Sequence, residues 1–219
     1  MSEEPRGAIL QRDKKTYAIV PRIPMGVLTP EILEGLVKVA RKYKVRIIKI
    51  TSGQRIALVG LNPEDVENAW KDLSLEVGPA EGLCVHYVQA CPGTETCKFG
   101  RGDSLGLAAK IEKLYVGKQN FIPGKTKFGV SGCMLNCAES YLRDFGAFCA
   151  PDGWTMIVGG NSGGRPRIGD VIAKKLTDEQ VLALLSKCLD YYAKNATSRE
   201  RMPRFIERIG IETFKKNVL

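Results

Sequence analysis

Two short stretches decide how this chain is read: CPGTETC, residues 91–97, and CMLNC, residues 133–137. Cys91 and Cys97 enclose five residues, Cys133 and Cys137 enclose three, and 35 residues separate the two clips. Four thiolates delivered as two clips suit a [4Fe-4S] cluster, in which each iron takes one cysteine sulfur. Structural zinc also uses four cysteines, but its clips run from C-x2-C to C-x4-C, often with histidine. Only the second clip falls in that range. A disulfide framework fits poorly with an odd total of seven cysteines and with an N-terminus, MSEEPRGAIL, that lacks the positive start and apolar stretch of a secretory signal. Iron–sulfur is preferred, with zinc and unliganded cysteines as the alternatives.

Outward from the clips, Cys84 and Cys149 fall inside apolar strand-like runs, and Cys188 falls on the apolar face of a helical pattern. All three read as small buried hydrophobes. His86, the one histidine, sits in the strand-like run LCVHYVQA and reads as packed. A multi-histidine metal site is thereby excluded.

Upstream, the pattern reads β-α-β-β-α-β, a ferredoxin-like unit. Its strands are 16–20, 45–50, 55–59 and 83–88. Its first helix starts at Thr29-Pro30, and its second is capped by Asn62 and runs to about Leu73. Downstream, 103–115 reads as a helix, 127–130, 144–149 and 154–158 as strands, 178–194 as a long amphipathic helix and 198–209 as a shorter basic one. The fold class is α+β: a ferredoxin-like half-domain over 1–80, then a mixed α/β domain over 81–219.

The 219 residues carry 33 Lys and Arg against 24 Asp and Glu, a net charge of +9. The basic residues are dispersed, without the block of like charge that marks a nucleic-acid tail. Nucleic acid, an acidic protein partner and a pocket for anionic ligands compete as readings of the excess, and a solvated basic surface is the commoner outcome for any one cluster. No apolar run approaches the roughly 20 residues of a membrane-spanning helix. A cytoplasmic, reducing location is expected, with neither membrane nor nucleic acid as partner.

Three further segments carry chemistry. In Gly124-Lys-Thr-Lys127, strand alternation places Lys125 and Lys127 on one face. Two ammonium groups side by side call for an anion or for full solvation. In Gly159-Gly-Asn-Ser-Gly-Gly-Arg165-Pro-Arg167, glycines permit close backbone approach and the arginines can clamp carboxylates. The spacing is not GxGxxG at a βαβ turn, so no dinucleotide site is read. Thr51-Ser-Gly-Gln54-Arg55 clusters polar groups at a turn between two strands.

The order TSGQ, C-x5-C, KTK, C-x3-C, GGNSGGRPR resembles the sulfite and nitrite reductase family, from about Ile48 to Val171, and the chain is similar to its small, single-unit sulfite reductases. That resemblance implies a [4Fe-4S] cluster coupled to sirohaem, an iron tetrahydroporphyrin bearing carboxylates. It implies Cys91, Cys97, Cys133 and Cys137 as cluster ligands, with Cys137 bridging to the sirohaem iron. It implies Lys125 and Lys127 facing the bound oxyanion, Asn161, Arg165 and Arg167 holding sirohaem carboxylates, and Thr51 and Gln54 touching the macrocycle. The implied reaction is reduction of sulfite to sulfide. The alternatives are nitrite reduction, or an electron-transfer protein that keeps the cluster; from another class, a basic nucleic-acid module with structural zinc. No flavin or nicotinamide domain fits in the remaining residues, so a separate low-potential donor, an acidic ferredoxin-like carrier, is expected, with the chain a monomer or homodimer. Two departures stand out. Gly53 occupies the position where the family's T-x-R-Q turn carries arginine, leaving Arg46, Lys49 and Arg55 as neighbouring cations. Met134-Leu135-Asn136 makes the second clip more apolar than the family's usual Pro-Asn-Gly.

Overall fold

Short apolar runs punctuated by proline and glycine build the first of two compact units, Met1–Ala80 and Glu81–Leu219, in a computed structural model that describes residues 5–78, 82–118 and 121–219. The first unit contains β1 (Ala8–Leu10), β2 (Tyr17–Ile19), α1 (Pro30–Lys42), β3 (Ile47–Ile50), β4 (Ile56–Leu61) and α2 (Val66–Leu73). The strands pair antiparallel in the order β1-β2-β4-β3. The amphipathic helices bring Leu36, Val39, Val66, Ala69 and Leu73 onto Ile19, Leu58 and Leu61, a closed apolar core. Thr29 starts α1 by accepting a hydrogen bond from the Ile32 N–H at 3.4 Å, with Pro30 at the first helical position.

Two expectations for this unit need correction. The strand expected at 83–88 does not close its sheet: it is β5 (Val85–Ala90), which belongs to the second sheet, and β1 takes the place at the edge of the first. All six residues of β5 are buried, which requires a sheet covered on both faces. Asn62 does not cap α2. Its amide donates to Asp65 Oδ2 at 3.1 Å, residues 63–65 form a 3-10 turn, and α2 begins at Val66.

The second unit comprises β5, α3 (Ser104–Tyr115), β6 (Thr126–Ser131), β7 (Phe145–Ala150), β8 (Gly153–Val158), β9 (Asp170–Leu176), α4 (Asp178–Asn195), α5 (Met202–Ile209) and α6 (Ile211–Val218). Its sheet runs β5-β6-β7-β8-β9, with β5, β6 and β7 parallel and the last two antiparallel. The crossover from β5 to β6 is α3, capped by Asp103, which accepts from the Gly106 N–H at 2.8 Å. The return from β6 to β7, residues 132–144, holds only a short 3-10 turn at Ser140–Leu142. Helix α4 starts on a Thr177/Gln180 capping box and buries Val181, Leu184, Leu185, Cys188, Leu189 and Tyr192. The basic helix starts at Met202 rather than Ser198, and β9 and α6 add elements that the periodicity did not reveal.

The core of the first unit sets the first prediction. Leu58 is fully buried, and Leu58→Ala is expected to cost about 2–5 kcal/mol, read as a lowered midpoint of chemical denaturation. Leu33→Ala, at a position 46% exposed, should leave that midpoint nearly unchanged.

Candidate active site

Parallel pairing of β5 with β6 sets Ala90 beside Val130, so the two cysteine clips leave neighbouring strands at the same end of the sheet. Cys91 lies one residue beyond β5 and its N–H donates to the Val130 carbonyl at 3.3 Å. Its sulfur accepts from the Gly132 N–H at 3.1 Å, and the Ser104 hydroxyl donates to its carbonyl at 2.7 Å. The first loop is laced to the second: Arg101 N–H and Gly102 N–H both donate to the Gly132 carbonyl, at 2.7 and 3.0 Å. Gly93 sits at φ +57, and a Cβ there would strike Ser104 and Gly102; a Cβ on Gly132 would strike Gly93. These two glycines let the loops close backbone to backbone.

In the second clip, Asn136 adopts φ +57 and its side-chain oxygen accepts from the Ser131 hydroxyl at 3.3 Å and the Ser140 N–H at 3.0 Å. Asn136 is therefore the residue that turns the clip. Met134 and Leu135 stand at the outside, 66% and 65% exposed, and Cys137 is exposed. The chain then runs back over β6, where Gly129 is pressed against Ala138 and Arg143. Arg143 is buried and wholly engaged. It donates to Gln89 Oε1 at 3.2 and 2.6 Å, to Glu139 Oε2 at 2.6 Å, to the Leu142 carbonyl at 3.2 Å and to Ser162 Oγ at 3.2 Å. One guanidinium thus joins the strand before the first clip, the segment after the second, and the glycine-rich loop.

Lys127 is the second residue of β6, with Gly129 and Ser131 on its face and about 13 Å of strand between it and Ser131. It is half-buried, its ammonium is 5.8 Å from the Tyr87 ring centre, and it forms no ion pair with a described residue. Burial pulls its proton affinity below the ordinary lysine value; Arg201, Lys125 and Arg143 add to the effect and Asp144 opposes it. Lys125 lies just before the strand and is half-buried. Asp144 is fully buried. Its Oδ2 accepts from Arg201 at 2.5 Å and from the Lys127 N–H at 3.0 Å, while its Oδ1 has no hydrogen-bond partner. Burial pushes its carboxyl up, held back by Arg201 and the Lys127 N–H.

The glycine-rich loop is a hairpin closed by reciprocal Asn161–Arg167 backbone bonds at 2.9 Å. Asn161 also braces it, donating to the Arg165 carbonyl at 2.8 Å and accepting from the Gly163 N–H at 3.2 Å. Arg167 is turned onto the Gly159 carbonyl at 2.8 Å and Asp170 at 2.5 Å, whereas Arg165 keeps a side chain 74% exposed. In the first unit, Thr51 and Gln54 form the turn between β3 and β4. Thr51 Oγ1 accepts from the Arg55 N–H at 3.2 Å and Gln54 sits at φ +58. Arg55 is buried, and Arg46 and Lys49 are exposed on or beside β3. His86 is packed, with Nε2 3.1 Å from the Gly82 carbonyl.

The second unit therefore gathers the clips, Lys125, Lys127 and the glycine-rich loop around β6 and its return. Sequence reasoning missed Arg143, Asp144 and Arg201. The available signal was an acid, Asp144, set directly before the apolar run FGAFCA, because a buried carboxylate demands a cation.

Residues 81–219 match the family described as nitrite and sulphite reductase 4Fe-4S domain, and residues 9–75 match the nitrite/sulfite reductase ferredoxin-like half domain. The chain belongs to the nitrite and sulphite reductase family. Within that family it is 57% identical over 219 residues, all of both chains, to an assimilatory-type sulfite reductase of Nitratidesulfovibrio vulgaris. It is 39% identical over 204 residues to an NAD(P)H nitrite reductase of Bacillus subtilis, covering 93% of this chain and a quarter of that one. Two solved structures share the reductase fold with a TM-score of 0.80: dissimilatory sulfite reductase I, at 13% identity over 93% of this chain and 69% of that one, and Mycobacterium tuberculosis NirA, at 19% identity over 92% and 39%.

Family membership implies a [4Fe-4S] cluster and sirohaem, and the residues fit the cluster. The four cysteines sit on two loops laced together by backbone hydrogen bonds, and the Gly132 N–H donates to the Cys91 sulfur. None of the seven cysteines is in a disulfide. Cys97→Ser is expected to lose iron and acid-labile sulfide and to destabilise the second unit, because a metal site contributes its binding energy to folding. Cys188→Ser, on the buried face of α4, should retain full iron content. Full iron in the Cys97 variant would refute the clip assignment.

Proposed function

We propose that the chain is a sulfite reductase in which Cys91, Cys97, Cys133 and Cys137 would hold the [4Fe-4S] cluster, with Cys137 also serving sirohaem. The observation that supports this most strongly is that β5 and β6 present both clips at one end of a parallel sheet, together with full-length similarity to an assimilatory-type sulfite reductase. When bound, the coupled cofactors supply one-electron transfers and an iron site for sulfur. The overall balance is SO3²⁻ + 6 e⁻ + 6 H⁺ → S²⁻ + 3 H2O.

The protein's part is charge and protons. Lys125 and Lys127 attract and orient the oxyanion in a half-buried setting, where a cation counts for more than in water. Lys127, with its lowered proton affinity, releases a proton to an anionic oxygen more readily than a solvated lysine does. Asn161 and Arg167 shape the glycine-rich hairpin, and the exposed guanidinium of Arg165, which lies 3.5 Å from Glu207, would take a sirohaem carboxylate. Electrons come from a separate low-potential carrier, an acidic ferredoxin-like protein drawn by the net charge of +9, in a cytoplasmic, reducing setting that keeps the thiols free.

Nitrite reduction is the second reading, supported by 33–39% identity to nitrite reductases that include those of Bacillus subtilis and Escherichia coli. The chain covers only about a quarter of the length of each of those two. The deciding measurement is kcat/KM for sulfite against nitrite with one reduced dye as donor; a clear preference for nitrite would overturn the sulfite reading.

Lys127→Met should retain the visible spectrum and lower kcat/KM for sulfite by roughly 10- to 150-fold, the equivalent of losing one charged contact of about 1.5–3 kcal/mol. In the wild type, the acid form of Lys127 is lost as pH rises through its lowered pKa. The basic limb of the turnover profile should therefore lie below the pH at which an ordinary lysine titrates. With a protein carrier, association should slow as salt rises from low to physiological strength, while turnover driven by a small neutral dye changes much less. Equal salt responses would remove steering from the role of the basic surface.

A further inference from the structure

Arg201 lies at the N-cap position of α5, in a basic stretch that carries no motif. Its side chain reaches three separate pieces of the candidate site. Nε donates to the Lys125 carbonyl at 3.1 Å, Nη1 to Asn161 Oδ1 at 3.4 Å, and Nη2 to the buried Asp144 carboxylate at 2.5 Å. The backbone before it is pressed against the start of the lysine strand: a Cβ on Gly124 would overlap the Glu200 carbonyl and the Tyr192 hydroxyl, and that hydroxyl donates to the same carbonyl. Asp144, in turn, accepts from the Lys127 N–H at 3.0 Å. The guanidinium and the carboxylate therefore form one clasp across the lysine strand, the glycine-rich hairpin and the entry to β7.

We propose that Arg201 is a positioning residue of the oxyanion site, clasping the lysine strand to the glycine-rich hairpin and, with Asp144, setting the charge behind Lys127. The proposal rests on the reading of Lys127 as the oxyanion and proton-donating residue. The charged groups that act on Lys127 are Arg201, Lys125 and Arg143, which disfavour its proton, and Asp144, which favours it; the Tyr87 ring covers its ammonium. Removing Arg201 takes away a repelling cation, so the basic limb of activity should move to higher pH. Removing the Asp144 charge takes away an attracting anion, so the limb should move to lower pH. A purely structural role would not shift the two in opposite directions.

The test uses holoenzyme variants Arg201→Met, Arg201→Lys, Asp144→Asn and Lys127→Met. Two quantities are measured: dye-driven sulfite turnover against pH, and equilibrium sulfite binding followed in the visible spectrum. Arg201→Met should weaken sulfite binding about tenfold or more, as expected for the loss of charged contacts that place the site, and raise the basic limb. Arg201→Lys keeps the charge without the three-way fork, so its limb should stay near wild type while its binding is weakened. Asp144→Asn, which preserves shape, should lower the limb. If Arg201→Met does not load cofactors, the Arg201→Lys and Asp144→Asn arms carry the same decision. Wild-type binding in Arg201→Lys together with an unmoved limb in Asp144→Asn would overturn the clasp while Lys127→Met remained impaired. A wild-type Lys127→Met would instead withdraw the role of Lys127 itself, and the clasp with it.

Discussion

The same-direction pairing of β5 and β6 is the constraint on which the second unit depends. Parallel neighbours carry their C-terminal ends to one edge, and here each strand ends in a cysteine clip. A [4Fe-4S] cluster, with four irons to ligate, would then meet cysteines from two loops whose backbones are already laced together through Gly132. The price of parallel pairing is a crossover, supplied by α3 on one side and by the 132–144 return on the other. That return is not idle connection: it carries Cys133 and Cys137, then Arg143 and Asp144 back to the entry of β7.

Around this frame, positive charge is sorted by whether the protein itself consumes it. Arg143 spends its guanidinium on Gln89, Glu139, Leu142 and Ser162, and Arg167 is committed to Asp170 and Gly159. Lys127 is left without a carboxylate partner among the described residues, half-buried and beside other cations. Such an arrangement holds its proton loosely and welcomes an anion. The buried Asp144 moderates the repulsion, so that several cations stand together in a small volume.

Much of this was legible in the sequence because the signals were local. Clip spacing, the Thr29-Pro30 start, the helix over 103–115 and the 3.6-residue stripe of α4 each depend on neighbours within a turn or two. What escaped depends on partners far along the chain. The run VHYVQA looks the same whether it closes the first sheet or opens the second; only its burial on both faces decides. Asn62 had two competing uses for one amide, and the Asp65 carboxylate won. Arg201 reads as one more surface cation until the fold carries it to Asp144, 57 residues upstream. The motifs were visible in the sequence, but Arg143 and Arg201, which join their segments, were not.

The crossover from β5 to β6 also bears on the order of biogenesis. Neither clip alone offers four thiols, and the two meet only after α3 has packed and non-local parallel strands have paired, a slow class of folding event. A nascent chain therefore has no complete cluster seat, and the seat's existence certifies that the sheet has formed. Cys137 remains exposed after the sheet has closed. Bringing the four clip cysteines together and closing the parallel sheet are thus one event.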